Sequence, residues 1–293
     1  MTRPASRSAP QPRSAPQHRP GRIAGLPLLA LLVLALAACG PGVSASGGGS
    51  GDSGGTAFTP DPRHDRMADS LVHELIEAAG GMQRFWEMET ARFILTTEWW
   101  DVDEPRIRRT RPRYITIDRR DSTERGRLER WEGDNLILQG FDGDTAWATM
   151  NGELLEPGQM DRDQVEYVAS DVNYWIGLPY KLRDPGLTLH YDGVDEQGRH
   201  DVRVTFEPGI GEYQDVWHYY FEAGEPWPVE ITYQEDGSTN VNRTRWEDIQ
   251  TVDGYTFVGR RVSLNADGMV RLVVATSNFE FNPALEAGVF SSP

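Results

Sequence analysis

Between residues 91 and 274 short runs of alternating apolar and polar residues are separated by Asp-Gly and Asn-Gly pairs. Phe93, Leu95, Thr97 and Trp99 alternate with Arg92, Ile94, Thr96 and Glu98, the period-two pattern of a strand with one apolar and one mixed face. Similar runs fall at 114–118, 136–138, 187–191, 202–206, 216–221, 229–233, 255–264 and 270–274. Between them lie Asp142-Gly143, Asn151-Gly152, Asp192-Gly193, Asp236-Gly237, Asp253-Gly254 and Asp267-Gly268, pairs that tolerate the positive φ angles of tight hairpin turns. Turns this close leave no room for the long crossovers of parallel neighbours, so the pattern predicts one antiparallel sheet of about ten to twelve strands.

Helical spacing interrupts this pattern twice. Over 63–79, Met67, Leu71, Leu75 and Ala78 recur every three or four residues, flanked by Val72, Ile76 and Ala79, and Gly80-Gly81 stops the helix. A short turn over 82–88 is expected to set Phe85 and Trp86 against it. A second helix is expected from about 161 to 175, with Val165, Val168, Val172 and Trp175 on one face and Gly177 and Pro179 ending it. The expected fold class is mainly β, with an N-terminal and a mid-chain helix.

The first sixty residues do not read as part of the sheet. Residues 1–22 are rich in Arg, Pro and Ser, and the apolar run 23–38 is too short and too abruptly ended for a spanning helix, so 1–38 reads as a signal peptide. It closes on Leu36-Ala37-Ala38-Cys39-Gly40, which resembles the bacterial lipobox and implies cleavage before a diacylated Cys39. Cys39 is the chain's one cysteine, so no intrachain disulfide forms, and a free thiol in an oxidising compartment is disfavoured. Residues 39–60 then form a lipidated Gly/Ser-rich tether, and 61–293 the folded domain. Gly40 is not the Asp that retains some lipoproteins at the inner membrane, so the resemblance favours the periplasmic face of the outer membrane.

Charge narrows the partners. Net charge is −16, and because 1–38 holds five arginines and no acid, the remainder carries 24 basic against 45 acidic residues, or −21. Such a surface repels nucleic acid and anionic lipid headgroups. The expected partners are the membrane, through the N-terminal anchor, and a lipid or other apolar small molecule, with no nucleic acid.

Motifs with familiar chemistry do not hold up. Gly51-Asp52-Ser53-Gly54-Gly55 matches the nucleophile region of trypsin-like proteases, but only a signal peptide precedes it where the triad's His and Asp belong. His73-Glu74-Leu75-Ile76-Glu77 begins like a zincin motif and ends in Glu, and one imidazole does not hold a catalytic zinc. His64, His73, His190, His200 and His218 are scattered without ligand spacing. The acidic runs 101–104 and 192–196 lack the EF-hand register and read as solvated loops. No metal, cofactor or catalytic residue is assigned.

One stretch remains, 170–187, reading SDVNYWIGLPYKLRDPGL, which concentrates Tyr174, Trp175, Pro179, Tyr180 and Pro185 and holds the chain's single lysine, Lys181. Its prolines fix φ and its aromatics supply area to bury, so it serves either as a rigid plug at one end of the sheet or as a ligand contact. Lys181 has Asp184 or a backbone carbonyl as candidate partner and no neighbour that would lower its pKa for catalysis. As a ligand site it would comprise Tyr174, Trp175, Pro179, Tyr180 and Lys181.

The run Asn173, Tyr174, Trp175, Pro179, Tyr180, Lys181, Leu182, Asp184, Pro185 and Gly186 resembles an uncharacterised family of bacterial secreted lipoproteins with a LolA/LolB-like fold. Ala78-Ala79-Gly80-Gly81 with Trp86, and Phe281-Asn282-Pro283 with Phe290, agree with it over 63–293. The resemblance implies a single curved antiparallel sheet, an open half-barrel whose concave apolar face is covered by helices and takes acyl chains. It names no activity, and fold analogy alone transfers none.

Two functional classes stay open, with a third beside them. The first is a non-enzymatic, membrane-anchored periplasmic lipoprotein that binds a lipid, acyl chain or other apolar ligand in the concave face. The second is a periplasmic hydrolase using carboxylates in the sheet cavity, and the third an envelope structural component without ligand. A dry lining of Trp, Leu and Val favours binding, and two carboxylates converging on one wet cleft favour hydrolysis.

Overall fold

A computed structural model describes residues 59–120, 124–156, 172–208, 215–235 and 237–292. The signal peptide, Cys39 and the tether up to residue 58 lie outside the described residues, as does most of the helix expected from 161. What is described of that helix is α3, Val172–Gly177.

Two helices, α1 (Arg66–Ala78) and α2 (Gly81–Glu87), precede the sheet. The strands are β1 (Thr90–Asp101), β2 (Arg106–Asp118), β3 (Arg125–Glu132), β4 (Asn135–Phe141), β5 (Ala146–Met150) and β6 (Glu153–Leu154), and after α3 β7 (Leu187–Val194), β8 (His200–Phe206), β9 (Val216–Phe221), β10 (Pro228–Gln234), β11 (Val241–Val252), β12 (Tyr255–Leu264) and β13 (Val270–Phe281). They form one 13-stranded sheet in the order β6-β5-β4-β3-β2-β1-β13-β12-β11-β10-β9-β8-β7. Every neighbour is antiparallel, and β6 and β7 are the unpaired edges of an open sheet. The sheet is therefore two meanders, β1 to β6 and β7 to β13, joined where the first strand pairs with the last.

The strand count exceeds the expected ten to twelve because β3, β5, β6 and β11 do not show their period in the sequence. In β3 the buried face includes Arg130, and in β11 Asp248 at φ 51° interrupts the pairing between Glu247 and Ile249. Asn151-Gly152 and Asp253-Gly254 adopt positive φ at both residues, as a two-residue hairpin turn requires. Asp192-Gly193 instead lies inside β7, where the register shifts between Tyr191 and Gly193, and the hairpin turns at Asp195 to Gly198. This pair is a bulge rather than the expected turn.

One side of the sheet is packed under the helices. Phe93, Leu95, Ile115, Ile117 and Leu128 from the first meander and Leu189, Val202, Tyr219, Ile231 and Phe257 from the second share one buried cluster with Ala68, Val72, Leu75, Ile76 and Ala79 around α1. The buried stripe of α1 is rotated from the expected one, and Met67 is 48% exposed. On α2 Phe85 is buried, while Trp86 is 66% exposed. The other side is covered locally near the C-terminus. Trp147 Nε1 donates to the Phe290 carbonyl at 2.8 Å, and Gly140 leaves the space that the Trp147 ring fills.

Candidate functional site

β6 and β7 are opposite edges of the sheet. The described part of the chain between them, 172–186, sends Ile176, Leu178, Tyr180 and Leu182 into the same buried cluster as Phe93 and Phe257. The Leu178–Pro179 peptide is cis, and Pro179 is buried at the start of a single 3-10 turn, Tyr180–Arg183.

Four attachments hold this segment. Tyr180 has no exposed surface, and its ring is stacked between Phe85 at 5.0 Å and Tyr255 at 5.4 Å. Its hydroxyl donates to the Ala79 carbonyl and lies 3.2 Å from that of Thr256, and burial pushes its pKa up to about 12. Tyr255, equally buried, donates to the Ile176 carbonyl at 2.7 Å, and desolvation raises its hydroxyl well above the usual tyrosine range. Arg183 pairs with the fully buried Asp69 carboxylate and donates to the Asp69 carbonyl at 3.0 Å. Lys181 pairs with Glu124 at 3.3 Å and with Asp184 at 3.4 Å. Burial raises the Asp184 pKa, and Lys181 opposes that rise.

The expected site residues thus divide. Tyr180 and Pro179 are buried in the core, and Lys181 is paired with two carboxylates. Tyr174 and Trp175 are half-buried. The Trp175 ring meets Trp217 edge-on at 5.6 Å, and the Arg261 guanidinium lies 4.2 Å over its face. Tyr174 sits 6.0 Å from Trp175 and 6.4 Å from Trp217, and burial holds its hydroxyl above the usual tyrosine range.

Beside Trp175 lies a small cleft lined by Phe93, Leu95, Trp175, Ile176, Val258, Arg261 and Thr276. The lining is apolar except for Arg261 and Thr276, and its closed part has room for about one water. With room for about one water, it is far smaller than the roughly 300–1,000 Å³ of ligand pockets. A larger guest therefore requires Trp175 or Ile176 to move.

Sequence reasoning missed an arginine group next to this cleft. Leu95 of the lining pairs directly with Arg113 of β2, and the next residues on that face pair Thr97 with Arg111 and Trp99 with Arg109. Arg113 donates to the buried Thr97 hydroxyl, and Arg109 lies 5.1 Å over Trp99. Arg130, 6% exposed, donates to Gln139, and Glu132 accepts from Arg130 at 3.2 Å and from Arg111 at 3.0 Å. Burial and the charge of Arg109 lower the Arg111 pKa against the opposing Glu132, with Arg130 and Arg113 adding to the lowering. The signal was available in 106–113, where five of eight residues are arginine, but their facing depends on register.

On β7, β8 and β9 the fold also gathers Asp192, Asp201 and His218, whose side-chain ligand atoms lie within 4.8 Å of one another although the sequence spacing did not connect them. Internal partners occupy them. Arg203 contacts both Asp192 oxygens at 2.7 and 3.1 Å and lowers the Asp192 pKa, and His218 Nδ1 is 2.9 Å from Asp201. The group is organised as an ion-pair network; a cation there would have to displace Arg203.

No family model and no curated protein matches the chain in sequence. Solved structures are similar to it. One is a DUF1329 family protein from Desulfovibrio piger, 9% identical, with a TM-score of 0.49 over 76% of this chain and 96% of that one. Another is a LolA superfamily protein from Nitrosomonas europaea, 13% identical, with a TM-score of 0.42 over 76% and 97%. A domain from Vibrio parahaemolyticus named for outer membrane lipoprotein sorting is 12% identical, with a TM-score of 0.43 over 72% and 94%. The likeness is one of fold. The neighbours include a LolA-superfamily protein, of the fold that the resemblance of the 171–186 run implied.

Proposed function

We propose that this protein is a non-enzymatic lipoprotein of the cell envelope that holds an acyl chain or another apolar ligand between its helix-covered sheet face and the segment bearing Tyr174 and Trp175. The observation that carries this reading is the cleft lining, in which Phe93, Leu95, Trp175, Ile176 and Val258 converge with no carboxylate among the described residues. Hydrolysis would need paired carboxylates at that place. Each methylene buried contributes about 0.8 kcal/mol, so a chain of ten could offset ordering costs of several kcal/mol once Trp175 swings aside. Anchoring through an acylated Cys39, at the periplasmic face of the outer membrane, is supported by the lipobox-like sequence and the Gly/Ser tether behind it.

Mass spectrometry of lipids co-purifying with the natively extracted protein tests the binding function. A stoichiometric lipid is expected, and a lipid-free protein that shows no saturable binding of a fluorescent fatty acid would instead favour a structural envelope role. For the anchor, Cys39→Ser is expected to move the protein from the membrane pellet to the soluble fraction.

A further inference from the structure

An apolar cleft with arginines on the neighbouring strand suits an amphiphile better than a plain hydrocarbon. Along the helix-covered face, the strand-neighbour row Thr276–Leu95–Arg113 runs from the cleft lining straight into the arginine group, and the adjacent row is Arg261–Val274–Thr97–Arg111. Neighbouring strands are about 4.8 Å apart, so Arg113 stands one strand from the cleft wall, and Arg111 and Arg261 flank the intervening strands from either side. Guanidinium groups present planar forks of donors that match carboxylate and phosphate oxygens. Here they are backed by Trp99, over which Arg109 and Arg111 lie at 5.1 and 5.7 Å.

We propose that Arg109, Arg111 and Arg113 receive the anionic head, carboxylate or phosphate, of an amphiphile whose tail lies in the cleft beneath Trp175. This rests on the acyl-chain reading above and narrows it to anionic ligands. Burial first, and then the charges of Arg109, Arg130 and Arg113 against the opposing Glu132, lower the Arg111 pKa. Glu132, 3.0 Å from Arg111, is the carboxylate an anionic head would have to displace, while the net charge of −21 beyond residue 38 acts weakly because the Debye length of about 8 Å at physiological salt limits distant carboxylates. The acidic surface turns away an anionic bilayer, and the arginines accept a single anionic molecule.

The test is competition against a fluorescent fatty acid on the full chain, using dodecanoate, dodecyl phosphate and dodecanol, which share one tail. Dodecanoate or dodecyl phosphate is expected to bind at least tenfold tighter than dodecanol, with the tighter of the two identifying a carboxylate or a phosphate head. Raising the salt should shrink this preference. The double substitution Arg111→Gln, Arg113→Gln should reduce it to less than twofold while leaving dodecanol affinity unchanged; should that variant not fold, the exposed Arg109→Gln is expected to lower the preference two- to threefold. Equal binding of all three ligands by the wild type would overturn the headgroup inference and leave the tail-binding function standing. Absence of binding by any of them would overturn both.

Discussion

The Tyr255 hydroxyl on β12 donates to the main-chain carbonyl of Ile176 in the last turn of α3 at 2.7 Å, and both residues are buried. A helix C-terminus leaves its last carbonyls without intrahelical partners, and at buried Ile176 this bond supplies one. This bond therefore fixes the depth at which Ile176, and with it the cleft wall, sits on the sheet. Tyr255→Phe keeps the ring stacked on Tyr180 and Phe279 and removes only the donor. It is expected to cost about 1–3 kcal/mol, the penalty of an unsatisfied buried acceptor, read as a lower urea midpoint at unchanged slope.

Trp175 is the half-buried wall of the cleft and is not one of the four attachments of the segment 172–186. Trp175→Ala is expected to destabilise by about 1–3 kcal/mol, below the roughly 3–5 kcal/mol typical of a fully buried tryptophan. Fatty-acid affinity should fall roughly tenfold, or about 1.4 kcal/mol, by fluorescence titration. Unchanged affinity in a folded variant would remove Trp175 from the site.

Asp118 has no exposed surface and pairs with Arg120 and Arg125, both at 2.7 Å. Burial works to raise its pKa, and the bonds from Arg120 and the charge of Arg125 outweigh this and lower it. A folded pKa below the unfolded value gives stability that is complete above the unfolded carboxylate range, near pH 4, and is lost as pH falls through the lowered folded value. Asp118→Asn should therefore be less stable than wild type at pH 7, by about 1–3 kcal/mol because both arginines are partly exposed, and the gap should close below pH 4. Urea titrations at pH 7 and pH 3 measure it.

At Gly140 an added Cβ would lie 2.4 Å from the Trp147 ring. Gly140→Ala must displace that ring and loosen its bond to the Phe290 carbonyl, at a cost of about 1–3 kcal/mol. Faster proteolytic trimming of residues 282–292, with ligand binding unchanged, is the expected signature.

Local chemistry wrote much of this fold into the sequence. Period-two alternation marked nine strands, the Asn151-Gly152 and Asp253-Gly254 pairs set their turns through positive φ, and helical spacing ended by Gly80 marked α1. The motif at 171–186 singled out a segment of the chain between β6 and β7. These features depend on neighbours close along the chain, where propensity and burial act residue by residue.

Tertiary structure decided what depends on distant pairing. Alternation does not say that β1 pairs with β13, which joins the two meanders and leaves β6 and β7 as the edges. Nor does it say that Tyr180 turns into the core while Trp175 walls a cleft, since both are aromatic and four prolines and glycines surround them. Local spacing does not say which way the arginines of β2 face. Only the register that sets Arg113 beside Leu95, Arg111 beside Thr97 and Arg109 beside Trp99 turns that run toward the cleft.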